Sequence, residues 1–232
     1  MRIKYSWQTL ILLTASLITA SCYATLARSA NALSSEIKSE IDILTPHKSR
    51  IELRLKANKP LIKHISSQLI DRSLPKHLVL LPMLESSYNP KAVSPANAAG
   101  LWQLIPATAQ RFGLNIDERD DQRFDSIAST KAAIGYLVFL YNKFDDLSLT
   151  LAAYNAGEGR VARAIKKAGT REFSSLKLPK ETKQYVRRFY ALLHLIKLDT
   201  LLDDGPPPML LFGTSDLPPL IDLRPLPPLI RL

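Results

Sequence analysis

A single carboxylate, Glu85, closes the apolar run Leu78-Val79-Leu80-Leu81-Pro82-Met83-Leu84, and Ser86, Ser87, Tyr88 and the turn pair Asn89-Pro90 follow it. Burying a carboxylate among such neighbours costs several kcal/mol unless it is paired or neutral. The run reads as a short helix opened by Pro75 and ending near Ser86, which sets Glu85 against the negative pole of the helix dipole. Dipole and apolar surroundings both disfavour the charged form and raise the pKa. A carboxylic acid still protonated near neutral pH is what a general acid requires. The same stretch also accommodates a glutamate just past the helix end, solvated and inert.

Three further stretches carry polar residues of useful type. "ANAAGLWQLIP" (96–106) sets Trp102 and Gln103 beside a glycine bend, and "LAAYNAGEGRV" (151–161) sets Tyr154 and Asn155 before a glycine turn. "LPKETKQYVRRF" (178–189) places Tyr185 on a basic helix. Each alone is a weak signal, since a Tyr-Asn pair before glycine is commonly a helix end. A typical glycosidase flanks the scissile bond with two carboxylates. The candidates for a second one here are Glu158, which reads as a turn or helix-start residue, and the acidic loop Asp117–Asp125, which reads as a solvated charge run.

The elements that must position these groups are helical. Residues 33–74 show helical spacing with many charges, and Pro75 to Ser86 is apolar nearly all round and therefore central. A loop rich in Ser, Pro, Asn and Ala runs to Gly100, and a short helix over Pro106–Phe112 closes on Gly113. Asp125 is placed to cap a helix over Ser126–Lys143, whose predicted inner stripe is Ile127, Ile134, Leu137, Val138 and Tyr141. Helices over Ser148–Tyr154, Gly159–Lys167 and Lys180–Asp199 follow, the last aligning Tyr185, Phe189, Leu192, Leu193 and Ile196. No alternating strand is present in the pattern, so the predicted class is all-α.

The chain has 232 residues, 46% of them hydrophobic and 22% charged, which describes a globular protein with a real core. Its net charge of +10 favours an acidic partner: nucleic acid, anionic lipid or an anionic wall polymer. The start, "MRIKYSWQTLILLTASLITASCYATLARSANA", reads as an export signal with a basic beginning, an apolar stretch from Trp7 to Ala20 and then small residues. The sole cysteine, Cys22, ends that stretch in "TASC", which is similar to a lipobox with Thr19 in place of the usual leucine. The alternative is a plain secretory signal cut later, after Ala24 or Ala32. The histidines at 47, 64, 77 and 194 are scattered without metal-ligand spacing, so neither a metal nor a cofactor is expected. Eight of the sixteen prolines follow Gly205 and forbid a helix in the tail. The expected organisation is a signal over 1–22, a helical lead-in over 23–59, a catalytic domain over 60–200 and a proline-rich tail over 201–232.

Together, in this order and spacing, "LLPMLESSYNPKAVSPANAAGLWQLIP" and "AAYNAGEGRV…LPKETKQYV" resemble the lytic transglycosylases of the goose-lysozyme-like superfamily. The resemblance covers about residues 60–198 and is strongest to the D branch of the membrane-bound lytic murein transglycosylases. It implies a lysozyme-like helical domain with a glycan-binding groove. It also implies cleavage of the β-1,4 bond between N-acetylmuramic acid and N-acetylglucosamine in peptidoglycan, with 1,6-anhydro ends as product. By this resemblance Glu85 protonates the glycosidic oxygen and then takes the proton of the muramoyl 6-hydroxyl, which attacks the anomeric carbon. The substrate thus supplies its own nucleophile, and the missing second carboxylate is expected. Ser86 and Gln103 orient the acid and contact sugar, Tyr154 and Asn155 hold the muramoyl sugar, and Tyr185 hydrogen-bonds Glu85. Trp102 either packs under the groove or stacks on a sugar face.

The partners implied are peptidoglycan glycan strands and, through Cys22, a membrane; a periplasmic monomer is expected. Where the D branch commonly continues into wall-binding repeats, this sequence carries its proline-rich tail, and a lipid on Cys22 would supply the tether. The competing readings are a lysozyme-type hydrolase that uses water and a second carboxylate, and a non-catalytic wall-binding module. Nucleic-acid binding, allowed by charge alone, is opposed by the export signal and by the absence of a recognisable binding motif.

Overall fold

The structure is a computed structural model and describes residues 35–203 apart from residue 118. The export signal, Cys22 and the proline-rich tail from residue 204 lie outside the described residues. All described helices belong to the first of two units, Met1–Leu202 and Asp203–Leu232. Residues 35–44 form α1, followed by α2 (Lys48–Ala57) and α3 (Lys59–Asp71). A 3-10 turn over Lys76–Leu80 runs straight into α4 (Leu81–Ser86), and α5 is Pro106–Arg111. Then come α6 (Ser126–Phe144), α7 (Leu147–Ala156), α8 (Glu158–Ala168), α9 (Lys180–Leu195) and α10 (Leu198–Leu202). Among the described residues there is no strand, only isolated antiparallel bridges such as Ala99 with Leu104. The all-α expectation holds.

The centre of the core is α7, which packs against α6, α8 and α9. Its residues Leu149 to Ala153 are all buried, so small and apolar side chains let three helices approach it at once. The run before Glu85 is central as predicted: Leu78, Val79, Leu80 and Leu81 have no exposed surface. Asp125 caps α6 as predicted, its Oδ1 accepting from the amides of Ile127 at 2.7 Å and Ala128 at 2.8 Å. Asp146 caps α7 in the same way.

Two details differ from the pattern-based expectation. Ile127 belongs to the apolar stripe of α6 by spacing but is 56% exposed, while Ser129 and Thr130, two and three positions on, are the residues buried at this end of the helix. The last helix stops at Leu195, where Ile196 turns extended at φ −104° and ψ 120°, and α10 then folds back against α3. No glycine or proline marks that break. Burial of Ile196 and Leu198 on the core accompanies it.

Residues 87–105 join α4 to α5 with little regular structure but many left-handed positions. Ser87, Tyr88, Asn97 and Gln103 all have positive φ, between 48° and 58°. Such conformations persist only where the surroundings over-determine them. Tyr88 is 2% exposed, and its hydroxyl donates to the Val79 carbonyl at 2.5 Å. The other anchor is Arg123, 5% exposed, whose Nη1 donates to the carbonyls of Asn97 at 2.6 Å and Leu104 at 3.2 Å. Asp121 neutralises it at 2.6 Å and is held below its usual pKa chiefly by the Arg123 hydrogen bond. The acidic loop is therefore not a uniformly solvated charge run: one of its carboxylates serves a buried guanidinium that clamps the opposite loop.

Candidate active site

Glu85 lies in the last turn of α4, where the dense apolar packing of Leu78–Leu81 holds the helix but leaves its end at a groove. The groove has a volume of about 470 Å³. Glu85, Gln103, Tyr154 and Asn155 line it together with Tyr136 and Glu158. Four segments distant in sequence thus converge: the end of α4, the loop before α5, the middle of α6 and the α7–α8 junction. Tyr185, on α9, donates its hydroxyl hydrogen bond to Glu85 Oε1. Tyr154, on the last turn of α7, donates to the Trp102 carbonyl at 2.8 Å.

The electrostatics are those of an acid held in reserve. Burial pushes the Glu85 carboxyl up from 4.5 to about 7, and the hydrogen bond from Tyr185 only partly offsets this. The Tyr154 and Tyr185 phenols are raised well above their ordinary value, first by burial and then by the Glu85 charge. Both therefore stay protonated and act as donors. Glu158 is the opposite case: the Arg111 guanidinium at 2.7 Å holds it below the usual carboxylate range, and the Tyr136 hydroxyl stands 3.4 Å from its other oxygen. Two carboxylates line one groove, one poised to carry a proton and one held ionised.

The remaining predicted site residues divide. Ser86 turns away from the groove: its hydroxyl donates to the Leu101 carbonyl at 2.8 Å and accepts from the Asn89 amide at 3.1 Å, tying α4 to the loop. Gln103 faces the groove, yet its amide nitrogen is spent on the carbonyls of Ala92 at 3.1 Å and Gly100 at 3.0 Å. Asn155 is exposed on the groove wall. Trp102 needs a correction. It has no exposed surface, and its Nε1 donates to Thr130 Oγ1 at 2.9 Å, so no face of the indole is open to a sugar. It packs beneath the groove, where its carbonyl also holds Tyr154.

Tyr136, Arg111 and Arg123 were not legible as site residues in the sequence. Tyr136 lies on α6 two positions off the stripe residue Ile134, and nothing local distinguished it from Tyr141 on the same helix. Arg111 stacks over Phe139 at 4.4 Å while it pairs with Glu158, an arrangement that depends on α5, α6 and α8 meeting. Glu158 itself opens α8, so the helix-start expectation for it holds.

The comparisons with known proteins point the same way. The family model of the transglycosylase SLT domain matches residues 64–177, a span that contains Glu85, Gln103, Tyr154 and Asn155. Just under half of the chain is thus similar to the transglycosylase SLT domain. It is 47% identical over 144 residues to membrane-bound lytic murein transglycosylase D of Escherichia coli strain K12, which covers 60% of this chain and 32% of that protein. It is 32% identical over 132 residues to membrane-bound lytic murein transglycosylase C of Haemophilus influenzae strain PittEE, covering 50% of this chain and 36% of that one. The chain thus spans about a third of the length of these curated relatives. Among solved structures, the 70 kDa soluble lytic transglycosylase of Escherichia coli superposes with a TM-score of 0.53 at 23% identity, over 69% of this chain and 30% of that one. That likeness assigns the fold of the SLT domain: lysozyme-like and helical. Among the described residues, no helix is long and apolar enough to cross a membrane.

Proposed function

We propose that this protein is a peptidoglycan lytic transglycosylase that cleaves the β-1,4 bond between N-acetylmuramic acid and N-acetylglucosamine. The single observation that carries the reading is Glu85: a carboxyl raised to about 7, at the wall of a groove, hydrogen-bonded by Tyr185. In the first half of the reaction its proton goes to the glycosidic oxygen, and the bond to the anomeric carbon breaks. In the second half the carboxylate takes the proton of the muramoyl 6-hydroxyl as that oxygen bonds to the anomeric carbon. Glu85 ends as it began, no water is consumed, and the product carries a 1,6-anhydro ring. A pKa near neutrality suits a group that must give and take one proton in a single turnover. Tyr185 steadies the ionised form by donating to it.

A hydrolase would need a second carboxylate free to activate water. Glu158 is the other carboxylate on the groove wall, and its pairing with Arg111 favours the lyase over the hydrolase. Tyr154, Asn155 and Gln103 are assigned to the muramoyl sugar, with Ser86 a support of the loop rather than a sugar ligand. The name of the relatives, membrane-bound lytic murein transglycosylases, supports murein as the substrate and a membrane-associated setting. Export by the N-terminal segment and tethering at Cys22 complete the reading, with residues 60–200 as the catalytic domain of a monomer.

Mass spectrometry of the products from purified sacculi tests it. The wild-type protein is expected to release anhydro-muropeptides, and Glu85→Gln to release none while keeping its helical circular-dichroism spectrum. Reducing ends in the wild-type digest would overturn the lyase reading, and undiminished release by Glu85→Gln would remove Glu85 from the chemistry.

A further inference from the structure

Behind α4 lies a second cavity, of about 380 Å³, that shares no lining residue with the groove. Its α4 wall is Met83 and Leu84, with Ser87 just past the helix end. Met83 and Leu84 line this cavity while Glu85, about 100° further round the helix, lines the groove instead. The floor is apolar, with Ile51 of α2 and Leu192 of α9 closing it from either side. The rim is basic in residue type. His47, Arg50 and Arg54 form an i, i+3, i+7 stripe along α2 and the turn before it, and Arg188 comes from α9.

The three arginines are not equally engaged. Arg188 Nε lies 3.1 Å from Glu40 Oε2, and Glu40 also accepts from the Gln184 amide at 2.8 Å. Arg50 reaches only the ring of His47, at 3.4 Å. Among the described residues, neither Arg50 nor Arg54 has an ion-pair partner. A pair of guanidinium groups one turn apart, facing no carboxylate of their own, matches the planar fork of an incoming carboxylate. The floor beneath them matches an apolar body, which a bare inorganic anion lacks.

We propose that this cavity is a binding site for an organic carboxylate with an apolar body, seated with its charge on Arg50 and Arg54 and its chain against Met83, Leu84 and Leu192. The ligand then rests on the two residues that immediately precede Glu85, on the helix that carries it. The inference stands independently of the transglycosylase reading, because none of its residues lines the groove.

Calorimetric titration of the full chain with sodium octanoate tests it, with octylamine as the cationic counterpart and N-acetyl-leucine as a peptide-like carboxylate. Saturable octanoate binding is expected, weakened at least tenfold by Arg50→Ala/Arg54→Ala and changed less than twofold by the groove variant Asn155→Ala. Octylamine is expected not to bind. Tighter binding of octanoate than of N-acetyl-leucine assigns a lipid-like chain, and the reverse order assigns a peptide terminus. The proposal is overturned by any of three results: no saturable carboxylate binding, equal affinity in the double variant, or equal binding of octylamine. Both arginines are exposed, so the double variant is expected to fold, and an unchanged unfolding midpoint verifies this.

Discussion

Glu85 is kept at a cost to the folded state, and the sign of that cost is measurable. Its folded pKa of about 7 lies above the ordinary 4.5, so the native protein holds a proton that the unfolded chain has already released. The stability it contributes is therefore fully present below about pH 4.5 and is lost as the pH rises through about 7. A difference of about 2.5 pH units corresponds to about 3 kcal/mol. Glu85→Gln keeps an acceptor for Tyr185 and removes the charge. Chemical denaturation is expected to find it more stable than wild type by up to about 3 kcal/mol at pH 9, and equal to wild type at pH 4. Equal stability at pH 9 would refute the burial account. The hydrogen bond from Tyr185 lowers the Glu85 pKa, so removing it must raise that pKa. In Tyr185→Phe the alkaline limb of kcat/KM is expected to move to higher pH, together with a lower maximal rate as the carboxylate loses its donor. A limb that moves down, or stays put, would contradict the assignment.

The element that decides the shape of the site is the loop over residues 87–105, which has almost no regular structure and yet is held at both ends. Tyr88 fastens its start to Val79, Ser86 fastens α4 to Leu101, and Arg123 clamps its middle through Asn97 and Leu104. Gly100 is where the chain passes closest to that clamp. Its φ is +78°, and a Cβ there would sit 1.8 Å from the Arg123 carbonyl oxygen. Gly113 shares the left-handed conformation, at φ +90°, but a Cβ there meets nothing within 4 Å. Thermal unfolding is expected to separate the two: about 1–2 kcal/mol lost for Gly113→Ala, and about 3 kcal/mol or more for Gly100→Ala. Gly100→Ala should also depress activity, because the displaced loop carries Gln103. Similar losses at both positions would mean that backbone conformation alone, and not the clamp, accounts for Gly100.

At the scale of the molecule, the net charge of +10 acts over distance rather than in any single contact. Exposed cations such as Arg160, Arg163, Lys166 and Lys167 on α8 begin two residues beyond Glu158, at the groove's edge. Attraction between such a surface and an anionic wall is screened within about 10 Å at about 0.1 M salt and within about 3 Å at about 1 M. Co-sedimentation with purified sacculi is expected to fall severalfold between about 0.05 M and about 0.5 M sodium chloride, while thermal stability changes little. Salt-independent sedimentation would assign the affinity to the groove alone.

The sequence by itself determined what is local. Helix periodicity, the Asp125 cap, the apolar run before Glu85 and the glycine turns all express relations between residues within a turn or two of one another, and apart from the break at Ile196 and the exposed Ile127 they fall where the pattern placed them. The ordered set of motifs also carried the resemblance to the lytic transglycosylases, because their spacing is a property of the chain and not of its folding. The tertiary structure alone decided how distant groups meet. Tyr185 reaches Glu85 across a hundred positions, Arg111 reaches Glu158 across 47, and both distances depend on how α4, α5, α8 and α9 cross the core. The same packing turned Trp102 inward, took Ser86 out of the groove and made a buried clamp of Arg123. Hydrophobic burial is non-directional, so a sequence specifies which faces are covered more readily than which side chain finally faces which.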